Sequence, residues 1–493
     1  MIAKANYNVR SLLVYSGIAA FFLGIFCNNT IDWDLWGYLA FGRLFWETGA
    51  FPYQDVFSYT PTKPLWVYHE WLTGIIFFPI YKNFGAAGLQ LLKYLLGMVT
   101  VGLVCVTAVR RKATPFFVFL ALIVAGNLIK AGYSPVRAQV FTYLFFVLTL
   151  YLLDQARAGK HWKYLWWLVP VELLWCNLHG GFVVGLSMIG IYTVGEAVSG
   201  RKYYPYAAIL LAAALITLVN PYGCEYWRYM AGAVLMPRPE IGEWQNVFAT
   251  VFSDEYRSYG VQYTIVFLLS VPLVFWYPKR DLTTIIVLSA TLIMGLLSIR
   301  NTVFFALAFA AFSPVIMKEF WEALKSDPKI IKRYSRFRMI GLMLIIVITS
   351  WTVGSSLFKF IVGSPLELRI YRVYYPVGAV EMIQKNNLKG NILPWFEWGE
   401  YLIWTLYPDN RVSMDGRYET VYRDSVSTEY FNFIFARDNW RDFLEKYPHD
   451  MILVRSDSKI RVLLAAEPDW CLAYDGKDGV LFLRREYCLQ HRT

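Results

Sequence analysis

Apolar runs dominate the first three quarters of the chain. Stretches rich in Leu, Ile, Val, Phe and Ala recur at the length a helix needs to cross a bilayer, about 17–25 residues. The candidate spans are 11–28, 88–109, 114–131, 137–155, 164–178, 181–198, 203–220, 261–277, 282–299, 302–317 and 339–361. Between the first two lies a polar and aromatic stretch, Asn29–Trp71. Within it, Leu35–Trp46 predicts a helix with Asp34 as N-cap and Gly49 just past its end. Its Leu, Trp and Phe content suits a helix lying along the membrane interface. Trp71–Phe84 predicts a second interfacial helix, and Pro52, Pro61 and Pro64 enforce irregular chain between the two.

From about Ser364 the pattern shortens to that of a soluble domain. Asn391–Pro394, Arg411–Met414 and Met451–Arg455 predict strands, and Pro376–Asn386, Glu397–Leu406 and Trp440–Tyr447 predict helices. Trp470–Tyr474 and Val480–Arg484 flank Asp475-Gly476-Lys477-Asp478-Gly479 and predict a terminal hairpin. The expected fold class is a polytopic α-helical membrane protein of about eleven transmembrane helices with a C-terminal soluble α/β domain. The expected boundary puts residues 1–363 in the membrane domain and 364–493 in an extracytoplasmic α/β domain.

Composition supports the membrane class. Of 493 residues 57% are hydrophobic, 18% aromatic and 17% charged, and mean hydropathy is +0.39. A net charge of +11 in a soluble protein would suggest nucleic acid; here its placement reports topology instead. Basic clusters follow the second span (Arg110, Arg111, Lys112), the fourth (Arg157, Lys160, Lys163), the sixth (Arg201, Lys202), the eighth (Lys279, Arg280) and the tenth (Lys318–Arg338). With eleven spans all of them fall on one side. The N-terminus is then cytoplasmic, and the Asn29–Trp71 loop and C-terminal domain lie outside a cell (inner) membrane. The first span has no A-x-A-like cleavage site after it and is read as a membrane span. The six cysteines show no metal-site spacing. Cys471 and Cys488 are close in the outer domain but not opposed in the predicted hairpin, so a disulfide between them stays open.

The candidate chemistry gathers at the outer ends of the spans. Asp32 and Asp34 stand one residue apart where the chain would leave the bilayer; carboxylates there can take a proton from a hydroxyl or hold a divalent ion such as Mg or Mn. The alternative for Asp34 is a plain N-cap. His69 and Glu70 close the same loop. Arg137 and Arg300 sit at outer span ends, where topology calls for no arginine; an anionic lipid phosphate or interfacial snorkelling accounts for them. His179, beside Gly180 and Gly181, is a phosphate-site candidate or a turn residue. Asn220 in Asn220-Pro221-Tyr222-Gly223 and Glu243 in Glu243-Trp244 are candidate substrate contacts. Glu172 lies inside the fifth span, where a charge needs a partner. Asp415-Gly416-Arg417 reads locally as a hairpin turn, and Trp395 and Trp398 as packing residues or stacking plates for a sugar.

An outer first loop opening on Asp32-Trp33-Asp34 resembles that of the GT-C fold glycosyltransferases, which include protein O-mannosyltransferases and lipid A aminoarabinose transferases. His69-Glu70-Trp71 is similar in position to their His-Pro-Pro segment, with both prolines absent. Asp34-Leu35-Trp36, Phe57-Ser58-Tyr59-Thr60, Asn177-x-His179-Gly180, Asn220-Pro221-Tyr222-Gly223, Glu243-Trp244 and Asp415-Gly416-Arg417 are closest to a group of uncharacterised bacterial members. The resemblance implies transfer of a sugar, with inversion, from a polyprenyl-phosphate carrier to a glycan, lipid or protein acceptor outside the cytoplasm. It casts Asp34 or Asp32 as the base, and Arg137, Arg300 and His179 as phosphate-site residues converging on it. His69, Glu70, Glu243 and Asn220 become substrate contacts. The competing classes are a lipid or polysaccharide transporter or flippase, which would show polar groups near the midplane, and a non-catalytic membrane scaffold.

Overall fold

The computed structural model describes residues 9–490 except 160, 237, 239, 253–256, 276–280, 326–345, 348 and 438. Lys160, Lys279, Arg280, most of the Lys318–Arg338 block and the first part of the 339–361 span lie outside the described residues. The chain is mostly helical. Its first helices are α1 (Val9–Phe26), α2 (Leu35–Thr48), α3 (Trp71–Arg110), α4 (Pro115–Tyr133) and α5 (Gln139–Gly159). They are followed by α6 (Leu168–Leu178), α7 (Phe182–Val198), α8 (Tyr204–Ile216), α9 (Cys224–Leu235) and the short α10 (Val247–Val251). The membrane-type series closes with α11 (Arg257–Phe275), α12 (Leu282–Leu297), α13 (Thr302–Lys325) and α14, helical over 349–362. Among the described residues four helices are long and apolar enough to cross a membrane: α3, α4, α5 and the one over Ile299–Leu324; five shorter apolar helices accompany them. The assigned helix α3 is broken at Gly85 (φ 58°, ψ −152°), so the two segments expected over 71–84 and 88–109 are both present.

By their internal contacts the residues form two compact units. One holds Met1–Asn29, Gln90–Gly223 and Val234–Glu367; the other holds Thr30–Leu89, Cys224–Ala233 and Leu368–Thr493. This division differs from a single boundary at 363/364, because it groups the long loop after α1 with the C-terminal residues.

In unit one, α13 packs on α4, α5 and α12, α1 on α4, and α7 on α5, α8 and α12. The α13 run Val303–Phe312 is buried throughout, whereas Leu91, Leu95, Val106, Leu211, Leu215, Leu268 and Ile293 remain exposed. Apolar exposure on that scale belongs to a surface facing something other than water. One end of the bundle is tied by charge. Arg111 meets Asp154 at 2.5 Å; Arg157 meets Asp281 at 2.5 Å and Glu196 at 2.9 Å; Arg201 meets Glu196 at 3.6 Å. The basic residues after the second, fourth and sixth predicted spans therefore share one end of the unit, as the alternating-span pattern requires.

In unit two, α15 (Val377–Lys385), α16 (Gly399–Leu406) and shorter helices surround a five-stranded sheet. Its strands are β1 (Gly390–Pro394), β2 (Asn410–Val412), β3 (Met451–Val454), β4 (Trp470–Gly476) and β5 (Gly479–Arg484), in the order β2-β1-β3-β5-β4. β1 is parallel to β2 and β3, while β5 is antiparallel to β3 and β4. The predicted strands and terminal hairpin are present. Cys471 and Cys488 form a disulfide; Cys471 is in register with Leu483, and the chain turns back past β5 to bring Cys488 to it. The loop after α1 is pinned to the sheet's β2 edge: Val412 donates to the Phe57 carbonyl at 3.0 Å and Tyr59 to the Val412 carbonyl at 3.2 Å. That pairing covers an edge that would otherwise expose its backbone groups.

Candidate active site

The N-terminus of α2 carries the first group. Gly49 closes the helix with φ 66°, its N–H reaching the Phe45 carbonyl, as the sequence predicts. At the other end, Asp34 occupies the N-cap position, yet its side chain makes no capping bond. The Gly37 N–H donates instead to Oε2 of Glu400, on α16, at 3.0 Å. Asp32 Oδ1 accepts the Asp34 N–H at 3.2 Å. Glu400 thus does the work expected of Asp34. Its carboxyl fits because positions 37 and 416 are glycines: a Cβ at 37 would strike Oε2, and one at 416 would lie 2.8 Å from Oε1 and 3.6 Å from Asp34 Oδ1. The Asp34 and Glu400 carboxylates face the same small space. Burial, then the charges of Asp34 and Asp415, push the Glu400 pKa well above the usual carboxylate range; Arg417 and the Gly37 N–H offset this only in part. Glu400 accordingly keeps a proton where an exposed glutamate would have lost it. Sequence reasoning missed this residue.

Asp415-Gly416-Arg417 is not the hairpin turn its local sequence suggests. Arg417 is 3% exposed and bridges two acids: Asp55 at 2.6 Å, and Asp415 through Nη2 at 2.6 Å and Nε at 2.9 Å. The Tyr422 hydroxyl donates to Asp415 at 2.9 Å and pairs with Ser58 at 2.6 Å. Trp66 and Phe57 lie against the guanidinium at 4.8 and 5.0 Å. Burial works against the charge, but Asp415 and Asp55 outweigh it and hold the Arg417 pKa well above its ordinary value. The Asp-Gly pair signals a turn locally; a fully buried guanidinium with planar, two-point partners decides the matter here.

His69 and Glu70 join the same unit. The His69 ring stacks on Tyr229 of α9 with centroids 5.6 Å apart, its Nδ1 lies 3.2 Å from the Tyr229 hydroxyl, and its Nε2 lies 3.7 Å from Glu70. Between this pair and Glu400 stands buried Tyr68, whose pKa is raised well above its ordinary value by burial and by Glu70 and Glu400. Asp34, Glu400, Tyr68, Glu70, Asp415 and Arg417 are therefore electrostatic neighbours in unit two.

Unit one carries the second group. Arg137 and Arg300 meet a common partner, Glu243, at 3.0 and 2.7 Å. Burial alone would raise the Glu243 carboxyl, but the two guanidiniums bring it down to about 2. Arg238 and Arg300 also lie over the Trp244 ring, at 4.1 and 5.1 Å. The cluster lines a cavity of about 220 Å³ with Ser134, Gln139, Tyr143 and Thr302. Two guanidiniums against one carboxylate leave a surplus positive charge facing these hydroxyl and amide donors. His179 is not among the lining residues. Its Nδ1 accepts the Gly181 N–H at 2.8 Å and pairs with Thr142 at 2.9 Å, closing the α6–α7 turn. Asn220 likewise closes its own turn, accepting from Tyr222 N–H at 2.8 Å and donating to the Thr217 carbonyl at 2.7 Å. Glu172 is fully buried on α6, and its carboxylate has no hydrogen-bond partner among the described residues.

A divalent ion such as Mg2+ is commonly held by one or two carboxylates, with waters and substrate phosphates completing its shell. Among the described residues no group of three or more His, Cys, Asp or Glu could hold one. Asp32 and Asp34 would supply at most two protein ligands, and an ion held there would take the rest of its shell from water and the donor phosphate.

This order of apolar helices, with a carboxylate-bearing loop after the first and a small C-terminal sheet unit, is that of a multi-pass membrane protein, and its likeness to two solved structures gives it the GT-C fold. Two solved structures share it. ArnT from Cupriavidus metallidurans bound to undecaprenyl phosphate superposes with a TM-score of 0.52 at 14% identity, over 97% of this chain and 98% of that one. The same protein in the apo state gives 0.53 at 13% identity, over 96% and 97%. No family model and no curated relative matches the chain.

Proposed function

We propose that this chain is a polyprenyl-phosphate-sugar-dependent glycosyltransferase that transfers with inversion on the extracytoplasmic face. The observation that carries the reading is the carboxylate pair at the start of α2, set in a fold that in ArnT receives undecaprenyl phosphate. Asp34 is the base: it takes the proton of an acceptor hydroxyl as that oxygen attacks the anomeric carbon. The anomeric C–O bond to phosphate breaks in the same displacement, and its electron pair leaves with the polyprenyl phosphate. Glu400 positions α2 and, holding its own proton, does not compete for the acceptor's. The leaving phosphate is already a weakly basic anion, so it needs positive charge more than a general acid. Arg137 and Arg300 are the candidates, with Glu243 fixing their forks. No step depends on a metal.

Eleven crossings, an N-terminus in the cytoplasm and the sheet unit outside an inner membrane complete the reading. The Cys471–Cys488 disulfide supports that side, since disulfides persist in oxidising compartments. Purified protein incubated with a polyprenyl-phosphate-linked sugar and a mixed glycan acceptor should release polyprenyl phosphate. A chain that binds the lipid, or moves it between leaflets, without ever cleaving the sugar would sink the assignment.

A further inference from the structure

A crevice in unit two is lined by residues given no role in the reaction above. It lies at the carboxyl ends of the parallel strands β1 and β3, where ligands of α/β sheets characteristically bind. Trp395 and Glu397 follow β1, Arg455 and Asp457 follow β3, and Trp33 and Tyr374 complete the wall of a space of about 310 Å³. That volume falls at the lower end of the roughly 300–1,000 Å³ of small-molecule sites. Its occupant can be identified by chemistry. A sugar ring offers a patch of C–H groups on one face and hydroxyls around its rim; aromatic faces carry the negative quadrupole that suits the first. Planar two-point groups suit the second, and the Arg455–Asp457 pair is held in such a plane by contacts of 2.9 and 2.8 Å. Arg455 also lies 5.6 Å over the Trp395 ring.

Charge narrows the class. Glu397, Asp457 and Asp478 outnumber Arg455 and Lys477 around the crevice, which disfavours phosphate, uronate and nucleotide. β1 and β3 are paired on both sides, so no open strand edge is offered to a peptide. Trp398 is not a plate: it is 4% exposed and donates to the Tyr374 carbonyl at 2.8 Å, holding the wall in place. Trp33 stands between Asp32 and Asp34 in sequence, so the crevice shares a loop with the candidate base.

We propose that this crevice binds a neutral or amino saccharide of one or two units, and that this saccharide is part of the acceptor. The word acceptor rests on the transfer reading; the binding does not. The test is calorimetric titration of the full chain in detergent, carrying Asp34→Asn to stop turnover, with short glucosamine oligomers, neutral glucose oligomers and galacturonic acid oligomers. The expected result is saturable binding of glucosamine or glucose oligomers, at least about tenfold tighter than galacturonate. Trp395→Ala and Glu397→Gln should each weaken it at least threefold. Glu397→Gln keeps the side-chain shape and guards against a loss of folding in Trp395→Ala. Absence of saturable binding up to about 10 mM overturns the proposal, as does binding that neither variant changes or that favours galacturonate. Binding without transfer to these sugars by the wild-type chain would leave the saccharide site standing and remove the acceptor role. Transfer without binding at this crevice would overturn the proposal and leave the transfer reading standing.

Discussion

Asp34→Asn separates chemistry from structure, because the structure already shows which residue caps α2. Asn is about as good an N-cap as Asp, and the Gly37 N–H is held by Glu400 at 3.0 Å rather than by Asp34. The substitution should therefore shift stability by no more than about 0.5 kcal/mol. If Asp34 is the base, turnover should fall by roughly 10²–10⁴-fold, which corresponds to about 2.7–5.4 kcal/mol of lost transition-state stabilisation. Glu400→Ala supplies the opposite signature. It strips the buried Gly37 amide of its acceptor, at a cost of about 1–3 kcal/mol, and should lower the melting temperature visibly. The assay is single-turnover release of polyprenyl phosphate by each purified variant, with thermal melts of the same preparations. Turnover of Asp34→Asn within a few-fold of wild type would refute the assignment, and a melting loss matching that of Glu400→Ala would show that Asp34 is structural after all.

Glu400 also makes a prediction about pH. A carboxyl whose folded pKa is raised stabilises fully below its unfolded value, about 4.3, and the contribution is lost as pH rises toward the folded value. The slope is about 1.4 kcal/mol per pH unit, so melts of wild type should fall with rising pH relative to Glu400→Gln; parallel curves would show that Glu400 ionises normally. Arg300→Lys should reduce affinity for a polyprenyl-phosphate sugar by about tenfold or more although charge is kept, since Lys cannot offer the planar fork that meets Glu243 and a phosphate; unchanged binding and turnover would reduce Arg300 to a snorkelling residue. Asp415→Asn should destabilise by roughly 3–5 kcal/mol, because it leaves the Arg417 guanidinium buried with one carboxylate fewer, measured as loss of folded protein in detergent. A cysteine at exposed Ser425 should react with a membrane-impermeant thiol reagent in intact cells while one at Ser199, beside Arg201, should not; the reverse pattern would invert the topology.

What the sequence could show divides by distance along the chain. The apolar helices, the break at Gly85, the C-terminal cap of α2 and the terminal hairpin are written in local pattern: apolar runs, Gly after a last turn, an Asp-Gly turn between alternating residues. The sheet strands were legible for the same reason, since Ile392, Leu393, Ile452 and Leu453 are apolar runs of strand length and fully buried. The positive-inside rule singled out Arg137 and Arg300 as arginines apart from the basic clusters and so in need of an anion, and both meet Glu243. The rule does not say which anion, and Glu243 now stands between the two arginines, so any phosphate must share or displace it.

Glu400 and Arg417 were not legible, and the reason is physical. Glu400 begins an ordinary amphipathic helix, and its acceptor role is set by an amide 363 positions away. Arg417 follows an Asp-Gly pair that folds as a turn in most contexts, while its second acid, Asp55, is 362 positions away. Local signals assign a residue its commonest role, and only tertiary burial can withdraw it. The same reasoning strengthens the case for Asp34. Its commonest role, helix capping, is the one the fold gives to Glu400, at the expense of burying a second carboxyl beside the first. A fold that needed only a cap at this helix could have used Asp34 itself and kept position 400 apolar. Placing the extra carboxyl there makes sense if the α2 terminus must stay closed while Asp34 does something else, and abstraction of a proton from an acceptor hydroxyl is what a carboxylate at that place can do.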